Sequence, residues 1–550
     1  MDSPFSAKLG TNYSPEDEEI LEIQAFLVEP TLRLNRLDDK IAELEQAIQK
    51  LKEERKDFRA FVDAHKALVS PVRRLPIDII QEIFLACLPT NRNCAMSAFD
   101  APLLLGRICS SWRTISLSTP PLWTTLHIVN PSVSKEVDAT QFGEIVALRL
   151  AAAKMWLKRS APYPLSISLK SGSSNHSEFS QLLSPFAARW QHIHFMTPPA
   201  ALEGFFHLTE TDVPLLETVL IDGDKDTSHG FWGSLGILRA ARMSEFSIPG
   251  RSFVAEAVPL RWHQLETLIL AKPSPSSSTY FSNEAAVQAI SRCPNLRCCK
   301  LWLSDELSHP AQSRLPMVEL VFLHTLELHN SYYLPSFNIP FMLEHLSAPN
   351  LHRLTLDGAS EVKNPHPLLH FLAVSTRLEE LDLDTYSIPT SSLFESIRRL
   401  PDTMQRLVIR RSGFSLSQAA DFDDSTLDLL VPGAPDRAFC CPALKTLIIE
   451  GSRISDPALL RFILARVDSD GGSTLRKVLL HFDRRRTMEL DLRLAPFMEA
   501  GLQLCIIYSP TDSSKLSPWC GMKNPYPPTR IISQSLAART SGRQIGSFIV

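Results

Sequence analysis

The sequence has few of the features that place a protein in a membrane or on a nucleic acid. No apolar run approaches the roughly 18 residues that a membrane-spanning helix needs. The formal net charge is −4, so there is no excess of positive charge to attract nucleic acid or anionic lipid. The densest basic run, Arg484-Arg485-Arg486, is short, and we interpret it as a solvated strand end. We therefore expect neither nucleic acid nor membrane as a partner.

The chain also lacks the marks of secretion and of metal binding. The first residues, Met1-Asp2-Ser3-Pro4, are followed by acidic residues and carry neither the basic region nor the apolar core of a secretory signal. The ten cysteines are scattered, and Cys293, Cys298 and Cys299 have no histidines at zinc-finger spacing. We expect reduced, mostly buried cysteines, a cytoplasmic or nuclear location, and no metal or other cofactor.

Local signatures of catalysis are missing as well. There is no GxSxG, no HExxH, no phosphate-binding GxxxxGK[ST] and no GxGxxG after a strand. His192 and His194 lie close together on a predicted strand, where solvent exposure explains them. We expect that the protein is not an enzyme; an unrecognised one would need an active site without a local signature.

The first positive feature is a heptad pattern near the N-terminus. After a flexible segment, residues 1–15, the pattern becomes helical from Ile20, and Pro30 predicts an interruption. Apolar residues then alternate at steps of three and four, and charged residues fill the positions between them. The seam consists of Leu34, Leu37, Ile41, Leu44, Ile48, Leu51, Arg55, Phe58 and Val62, with Arg55 as its only polar member.

Two structures fit the predicted coiled-coil helix, residues 16–70. It can pair with another chain through residues 34–62, or it can fold back on Ile20 to Val28 or on the module that follows. The heptad pattern does not separate these alternatives. Pro71 disfavours helical backbone at Ser70, so we expect the helix to end there.

Residues 71–123 form a second pattern, of three short helices. Pro76 suits a first helical turn, and Pro89 ends the helix that it starts. A second helix is predicted over Leu103 to Trp112, and a short third segment runs from Ser116 to Trp123. The periodicity alone fits two interpretations equally: a helical cap whose apolar residues are all core, or a unit that offers an apolar face to a partner.

The order of these residues closely resembles the F-box family. Leu75-Pro76, an isoleucine/phenylalanine helix, Ile108-Cys109-Ser110-Ser111-Trp112-Arg113 and Leu122-Trp123 follow the family pattern in sequence. Ile108 replaces the usual valine, Asp78 the usual glutamate, and Pro89 to Ala101 lengthen the first connection. The resemblance implies a docking module for the adaptor Skp1, which joins it to a cullin-based ubiquitin ligase. The implied docking residues are Leu75, Pro76, Ile79, Ile80, Ile83, Phe84, Leu88, Ile108, Trp112, Leu122 and Trp123. The helix, the junction and this module together resemble a large group of F-box proteins of mushroom-forming fungi.

The rest of the chain repeats itself. The phrase L-x-x-L-x-L starts at Leu216, Leu265, Leu323, Leu351, Leu378 and Leu444, with looser copies at Trp190, Met243, Leu296, Met404, Leu475 and Leu502. The mean spacing is about 28 residues, which lies within the range of leucine-rich repeats. Helix signals lie between the copies, including Asp456 as a cap before Pro457.

This pattern predicts an α/β fold: an irregular leucine-rich-repeat-like solenoid with a parallel sheet over residues 124–508. Its longest step contains Asp421, Asp423, Asp424 and Asp428, which we interpret as a solvated loop. The tail, residues 509–550, is rich in Ser, Pro and Thr and is expected to be partly disordered.

Two functions follow from these patterns. In the first, the chain is the substrate-recognition adaptor of an SCF-type E3 ubiquitin ligase: the F-box docks on a Skp1-like adaptor, and the solenoid binds an unknown protein substrate. In the second, it is a coiled-coil and leucine-rich-repeat interaction scaffold with no ligase role. Burial separates them, since burial of Leu75, Pro76, Ile83 and Trp112 together would favour the scaffold.

Overall fold

The structure is a computed structural model of the whole chain. It describes residues 3–69, 71–130, 139–171, 177–222, 231–248, 255–270, 281–303, 315–330, 338–357, 366–385, 388, 390–410, 422–432, 439–452, 454–467, 475–482, 484, 486–508 and 529–532. These residues form two units, Met1–Ile83 and Phe84–Val550, and each is described by itself below.

The first unit is dominated by one long helix. Helix α1 spans Asp17–Leu68, 52 residues without a break. Acidic residues in its first turn and basic residues in its last turn complement the helix dipole. The predicted interruption at Pro30 is wrong: the helix continues through the proline, which only removes one backbone donor from the helical ladder. A fold-back of the heptad segment on Ile20 to Val28 is also wrong, because both stretches belong to this single helix.

Short helices follow α1. A 3₁₀ turn spans Pro71–Arg74, α2 spans Ile77–Ala86, and the boundary between the two units falls within α2. The single predicted second helix is wrong, because it is two helices, α3 at Leu105–Ile108 and α4 at Ser110–Leu117. The extended backbone of Cys109 separates them, and its Sγ accepts the Trp112 N–H that opens α4. A 3₁₀ turn then spans Pro120–Trp123.

The second unit continues as a stack of strands. In chain order they are β1 Thr125–Asn130, β2 Leu165–Ser171, β3 Trp190–Met196, β4 Thr218–Asp222, β5 Glu245–Ile248, β6 Thr267–Leu270, β7 Cys298–Leu303, β8 Val318–Glu319, β9 Thr325–Asn330, β10 Leu346–Ser347, β11 Arg353–Asp357, β12 Glu380–Asp384, β13 Arg406–Arg410, β14 Thr446–Glu450, β15 Lys477–Phe482, β16 Gln503–Tyr508 and β17 Thr529–Ile532. Fifteen of them form one sheet in sequence order, while β8 and β10 form a separate pair.

Helices connect most of the strands. They are α5 Ala139–Arg159, α6 Ser177–Leu183, α7 Phe231–Ser234, α8 Asn283–Ser291, α9 Asn338–His345, α10 His366–Val374, α11 Thr390–Arg398, α12 Asp424–Asp428, α13 Asp456–Val467 and α14 Asp491–Glu499. Several early connections instead use 3₁₀ helices, at Ser184–Arg189, Pro199–Phe205, Glu210–Asp212, Gly236–Arg239, Ala255–Ala257 and Trp262–Gln264. Unequal connections of this kind fit the prediction of an irregular solenoid.

The repeated leucines build the core of this sheet. Every predicted copy of the phrase contains a strand. In the central copies the second leucine pairs in register with that of the next copy: Leu354 lies beside Leu381, which lies beside Leu407. All three side chains are buried, and each contributes about 1.5–3 kcal/mol relative to exposure. The predicted long helix and α/β solenoid with a parallel sheet are thus confirmed.

Three details of the solenoid differ from the expectation. Strand β17 pairs antiparallel with β16, so residues 529–532 of the tail are ordered into the sheet. Residues 509–528 and 533–550 lie outside the described part.

The second difference concerns the acidic insertion, whose interpretation as a solvated loop is wrong. Asp423 caps α12, Asp424 accepts from Ser455 Oγ at 2.6 Å, and Asp428 pairs with Arg461; Asp421 lies outside the described residues.

The third difference concerns Asp456, which was predicted as a helix cap. Its side chain is fully buried and accepts from groups outside its own helix, including Arg484 Nη2 at 2.6 Å and Thr487 N at 2.7 Å. Arg484 is therefore part of a buried ion pair. The interpretation of the basic run Arg484-Arg485-Arg486 as a solvated strand end is wrong for Arg484, and Arg485 lies outside the described residues. Burial of a carboxylate is tolerated here because several donors converge on it.

Candidate interaction surfaces

The helical segment from Phe84 to Trp123 has its own aromatic core within the second unit. The rings of Phe84 and Trp112 meet edge to face, with centroids 4.8 Å apart. Trp123 is buried, and its Nε1–H donates to the Ser116 carbonyl at 2.8 Å. These contacts fix α4 and the turn after it, so the apolar residues of the segment are divided between an interior and a surface.

The eleven predicted docking residues follow this division. Seven retain exposed side-chain surface, and four are buried. Pro76, Ile79, Ile83 and Ile108 are exposed; Leu75, Leu88 and Trp112 are half-buried; and Ile80, Phe84, Leu122 and Trp123 are buried. The four buried side chains offer no surface to a partner in this conformation, and the docking role of the set stays a prediction.

The exposed members are large aliphatic residues. Within the first unit, Ile79 is 44% and Ile83 is 41% exposed, and they stand one helical turn apart on the same face of α2. Within the second unit, Ile108 is 56% exposed. The sequence pattern also missed Leu104 and Leu117, which are exposed in the same segment, because the family motif does not specify them.

The lengthened connection, Pro89 to Ala101, is joined to the repeats. The backbone of His127 in β1 donates to the Cys94 carbonyl at 2.8 Å, and Ala95 forms a parallel bridge with His127. Ser166 Oγ donates to Asn93 Oδ1 at 2.8 Å. The insertion thus covers part of the otherwise open edge of the first strand, which sheets usually protect. This role was not predicted from the sequence.

The second surface is the polar face of the sheet, formed by the positions between the buried leucines. From β7 to β13 it carries ion pairs that join neighbouring strands, at distances of 2.8 to 3.0 Å. The pairs are Lys300–Glu327, His329–Asp357, Arg353–Glu380 and Arg410–Asp382. Five of these residues line a shallow concavity of about 500 Å³ over β9 to β13: Glu327, Arg353, Glu380, Asp382 and Arg410. We call these pairs the ion-pair band.

His329 lies between two carboxylates of this band. Its Nδ1 is 3.0 Å from Asp357 Oδ2, its Nε2 is 3.7 Å from Glu327 Oε2, and its ring stacks on Trp302 with centroids 4.4 Å apart. Burial disfavours the imidazolium, but the two carboxylates outweigh it and raise the pKa of His329. Burial likewise opposes ionisation of Glu327, yet His329 and Lys300 lower its pKa to about 2.

Sequence reasoning missed the ion-pair band, although a signal was present. The positions between the leucines change sign from one repeat to the next, as in Lys300 followed by Glu327, or Arg353 followed by Glu380 and Arg406. In-register parallel repeats place such positions side by side. A repeat-by-repeat comparison of charge would have found the band.

The N-terminal end of the same face holds histidines. His192 Nδ1 lies 3.0 Å from Thr218 Oγ1, and His194 Nε2 lies 2.7 Å from Asp222 Oδ2. Both histidines are half-buried, so the expectation that they are simply solvated is wrong. They line a second concavity of about 640 Å³, together with His127 and the Asn91–Asn93 part of the insertion.

Among the residues that the structure describes, no group of three or more His, Cys, Asp or Glu side chains is arranged to hold a metal ion. Within the same residues, no helix combines the length and apolar character of a membrane span.

Comparisons with known proteins give a limited result. No protein-family model matches the chain, and no curated protein matches its sequence. Among solved structures, the chain is similar to the leucine-rich repeat-containing protein LegL7 from Legionella pneumophila, with 13% identity and a TM-score of 0.30. That similarity covers 58% of this chain and 91% of the other. The α/β solenoid assigned above therefore stands on the strand order and register of this chain itself.

Proposed function

We propose that the protein is the substrate-recognition adaptor of an SCF-type E3 ubiquitin ligase of the fungal F-box type. The segment from residue 71 to 123 docks on Skp1, which links the chain to a cullin. The solenoid holds a target protein near the ubiquitin-charged enzyme, so the chain acts by raising an effective concentration and performs no catalysis itself. The corresponding compartment is the cytoplasm or the nucleus.

The exposed isoleucines of α2 carry this proposal. Isolated exposed apolar residues are ordinary on protein surfaces, but Ile79 and Ile83 coincide with the family motif and repeat on one helical face. Burying both side chains would contribute about 1.5–3 kcal/mol each before the cost of association. The condition that would favour the scaffold is not met, because Pro76 and Ile83 are exposed while Leu75 and Trp112 are half-buried.

The polar sheet face supports the second half of the proposal. Parallel repeats present their non-leucine positions as one continuous surface, which suits recognition of a folded partner. Here that surface carries charges of both signs between β7 and β13. We place the substrate on it, and a substrate that meets the ion-pair band would need polar groups to replace the pairs it disturbs.

The alternative is an interaction scaffold without a ligase role. The long exposed helix α1 and the repeat surface would serve it equally well. The two functions differ in one respect, since only the adaptor binds Skp1 through the segment from residue 71 to 123.

Co-purification of the full chain with a fungal Skp1 tests the proposal. The intact chain and a Leu75→Ala/Pro76→Ala variant are compared, with circular dichroism as the check that both are folded. The adaptor function predicts that the intact chain retains Skp1 and that the variant loses it. Failure of the intact, folded chain to retain Skp1 would favour the scaffold.

A further inference from the structure

Helix α1 exposes an apolar seam along most of its length. Its leucines and isoleucines stay between 50% and 63% exposed at Ile41, Leu44, Ile48 and Leu51, and Leu34, Leu37 and Phe58 are exposed to a similar degree. The segment from residue 34 to 62 rises about 1.5 Å per residue, which makes the seam about 42 Å long. An apolar stripe of this length is costly to leave in water.

The residues of the seam fit a particular kind of coiled coil. Assigning Leu34 to heptad position a puts Ile41 and Ile48 at a and Leu37, Leu44 and Leu51 at d. β-Branched residues at a with leucine at d favour two parallel strands. Arg55 is the one polar residue at an a position of the seam, and a polar residue there fixes the register of a coiled coil at some cost in stability.

The flanking charges match a second copy of the same helix. In a parallel, in-register pair, each g residue faces the e residue five positions further along the partner. Here the three charged g residues all face opposite charges: Arg33 faces Asp38, Lys40 faces Glu45, and Glu54 faces Arg59. The remaining pairs, Ala47 with Lys52 and Phe61 with Lys66, join no like charges.

An antiparallel pair of the same helices would mix the layers of the seam. It would place a residues against d residues, and so remove the Ile-on-Ile and Leu-on-Leu layers that the parallel pair provides. Its charged flanks can also be matched: with Ile48 against the partner's Leu51, Glu45 lies near Lys52 and Asp38 near Arg59. The apolar layers therefore favour the parallel register, and the charged flanks agree with it.

We propose that α1 joins two copies of this chain as a parallel, in-register coiled coil over residues 34–62. In that dimer Glu54 also lies next to the partner's Arg55, which offsets the like charge of the two Arg55 side chains. This interface is independent of Skp1 binding and uses none of the residues assigned to it.

A charge-swap experiment on the full chain tests both the partner and the register. Lys40→Glu alone creates two Glu–Glu contacts per dimer, and Glu45→Lys alone creates two Lys–Lys contacts. The double variant Lys40→Glu/Glu45→Lys restores attraction only if residues 40 and 45 face each other, which the antiparallel arrangement does not allow. Lys50→Glu makes the same change at an outward position and is the matched control, since Lys and Glu both favour helix.

Sedimentation equilibrium of the intact chain over about 1 to 100 µM gives the association state. We expect a dimer of twice the 61.6 kDa chain mass. Each single reversal should weaken dimerisation roughly tenfold or more. The double variant and Lys50→Glu should keep the dimer dissociation constant of the wild type. A mixture of the two single variants should form heterodimers.

Several results would overturn the proposal. A monomer across the whole concentration range excludes self-association, and a trimer excludes the two-stranded pairing. Dimers that both single reversals leave unchanged, or that the double variant fails to restore, exclude the parallel register. The variant Leu44→Glu/Ile48→Glu disrupts only the seam. A dimer that persists in this variant forms through another surface and would also overturn the proposal.

Discussion

The Tyr508 hydroxyl, in strand β16, donates to Asp456 Oδ1, in helix α13, at 2.9 Å, although the two residues lie 52 positions apart in the sequence. Arg484 Nη2 reaches the same oxygen, and Thr487 and Met488 donate to the other one. One buried carboxylate thus joins the last helices and strands of the solenoid. Its loss should have consequences well beyond its own helix.

Asp456→Asn is expected to destabilise the protein by about 2–4 kcal/mol, because the amide supplies donors where Tyr508 and Thr487 need acceptors and leaves Arg484 without its counter-charge. Urea unfolding followed by circular dichroism measures the change. Asp402→Asn, in an exposed turn, is the matched control and should change stability by less than about 0.5 kcal/mol. Equal stability of both variants would remove the structural role assigned to Asp456.

The same carboxylate predicts a dependence of stability on acid. Burial opposes ionisation of Asp456, but hydrogen bonds from Arg484, Thr487 and Tyr508 outweigh it and lower its pKa to about 2. A depressed pKa adds stability above the ordinary value of 3.8, and that stability is lost as the pH falls from about 4 toward 2. Unfolding free energies measured across this window should fall more steeply in the wild type than in Asp456→Asn.

Two histidines of the sheet face should titrate in opposite directions. The carboxylates around His329 raise its pKa, whereas burial and the neighbouring His352 lower the pKa of His324. NMR titration of the ring protons should place His329 above the ordinary 6.5 and His324 below it. Asp357→Asn should lower the His329 pKa and leave His324 unchanged.

The sign of the resulting stability effect follows from the raised pKa. The protonated form of His329 is favoured in the folded chain, so its contribution is complete below about pH 6.5 and disappears as the pH rises through the folded-state pKa. His329→Gln should therefore lose stability mainly at the acid side of that transition. A pH-independent loss would show that the stacking on Trp302, and not the charge, is what matters.

Arg466 is buried and satisfies carbonyls of the longest insertion. It donates to Leu430 O at 2.7 Å, to Cys441 O at 2.9 Å and to Cys440 O at 3.1 Å. Arg466→Met keeps the apolar stem but leaves these carbonyls unpaired, and we expect a loss of about 3 kcal/mol in urea unfolding. The exposed Arg398→Met is the control and should be close to neutral.

The periodic parts of this fold were predictable, since strand positions follow from leucine spacing. Leu351 and Leu378 each stand two residues before an observed strand. Local rules failed at two helices: Pro30 does not end α1, and the extended backbone of Cys109 divides a helix that the apolar pattern joined. Asp456 looked like a cap because only distant residues, Arg484 and Tyr508, give it another role.

The same limit applies to the interaction surfaces. The motif located the exposed Ile79 and Ile83, but it also included Phe84 and Trp123, which the segment uses for its own core. Amphipathic spacing identifies apolar residues without telling which of them face a partner. The ion-pair band depends on which strands are neighbours, so it became visible only with the register of the sheet.

The affinity of the full chain for purified fungal Skp1, measured by isothermal titration calorimetry, tests the central claim most directly. We expect micromolar or tighter binding. Ile79→Asp/Ile83→Asp should weaken it by roughly a hundredfold or more, because both exposed side chains lose their burial. Leu148→Asp, at a 71% exposed apolar position on α5, is the matched control and should bind like the wild type. Absence of binding by the intact, folded chain, or equal binding by all three proteins, would contradict the adaptor function.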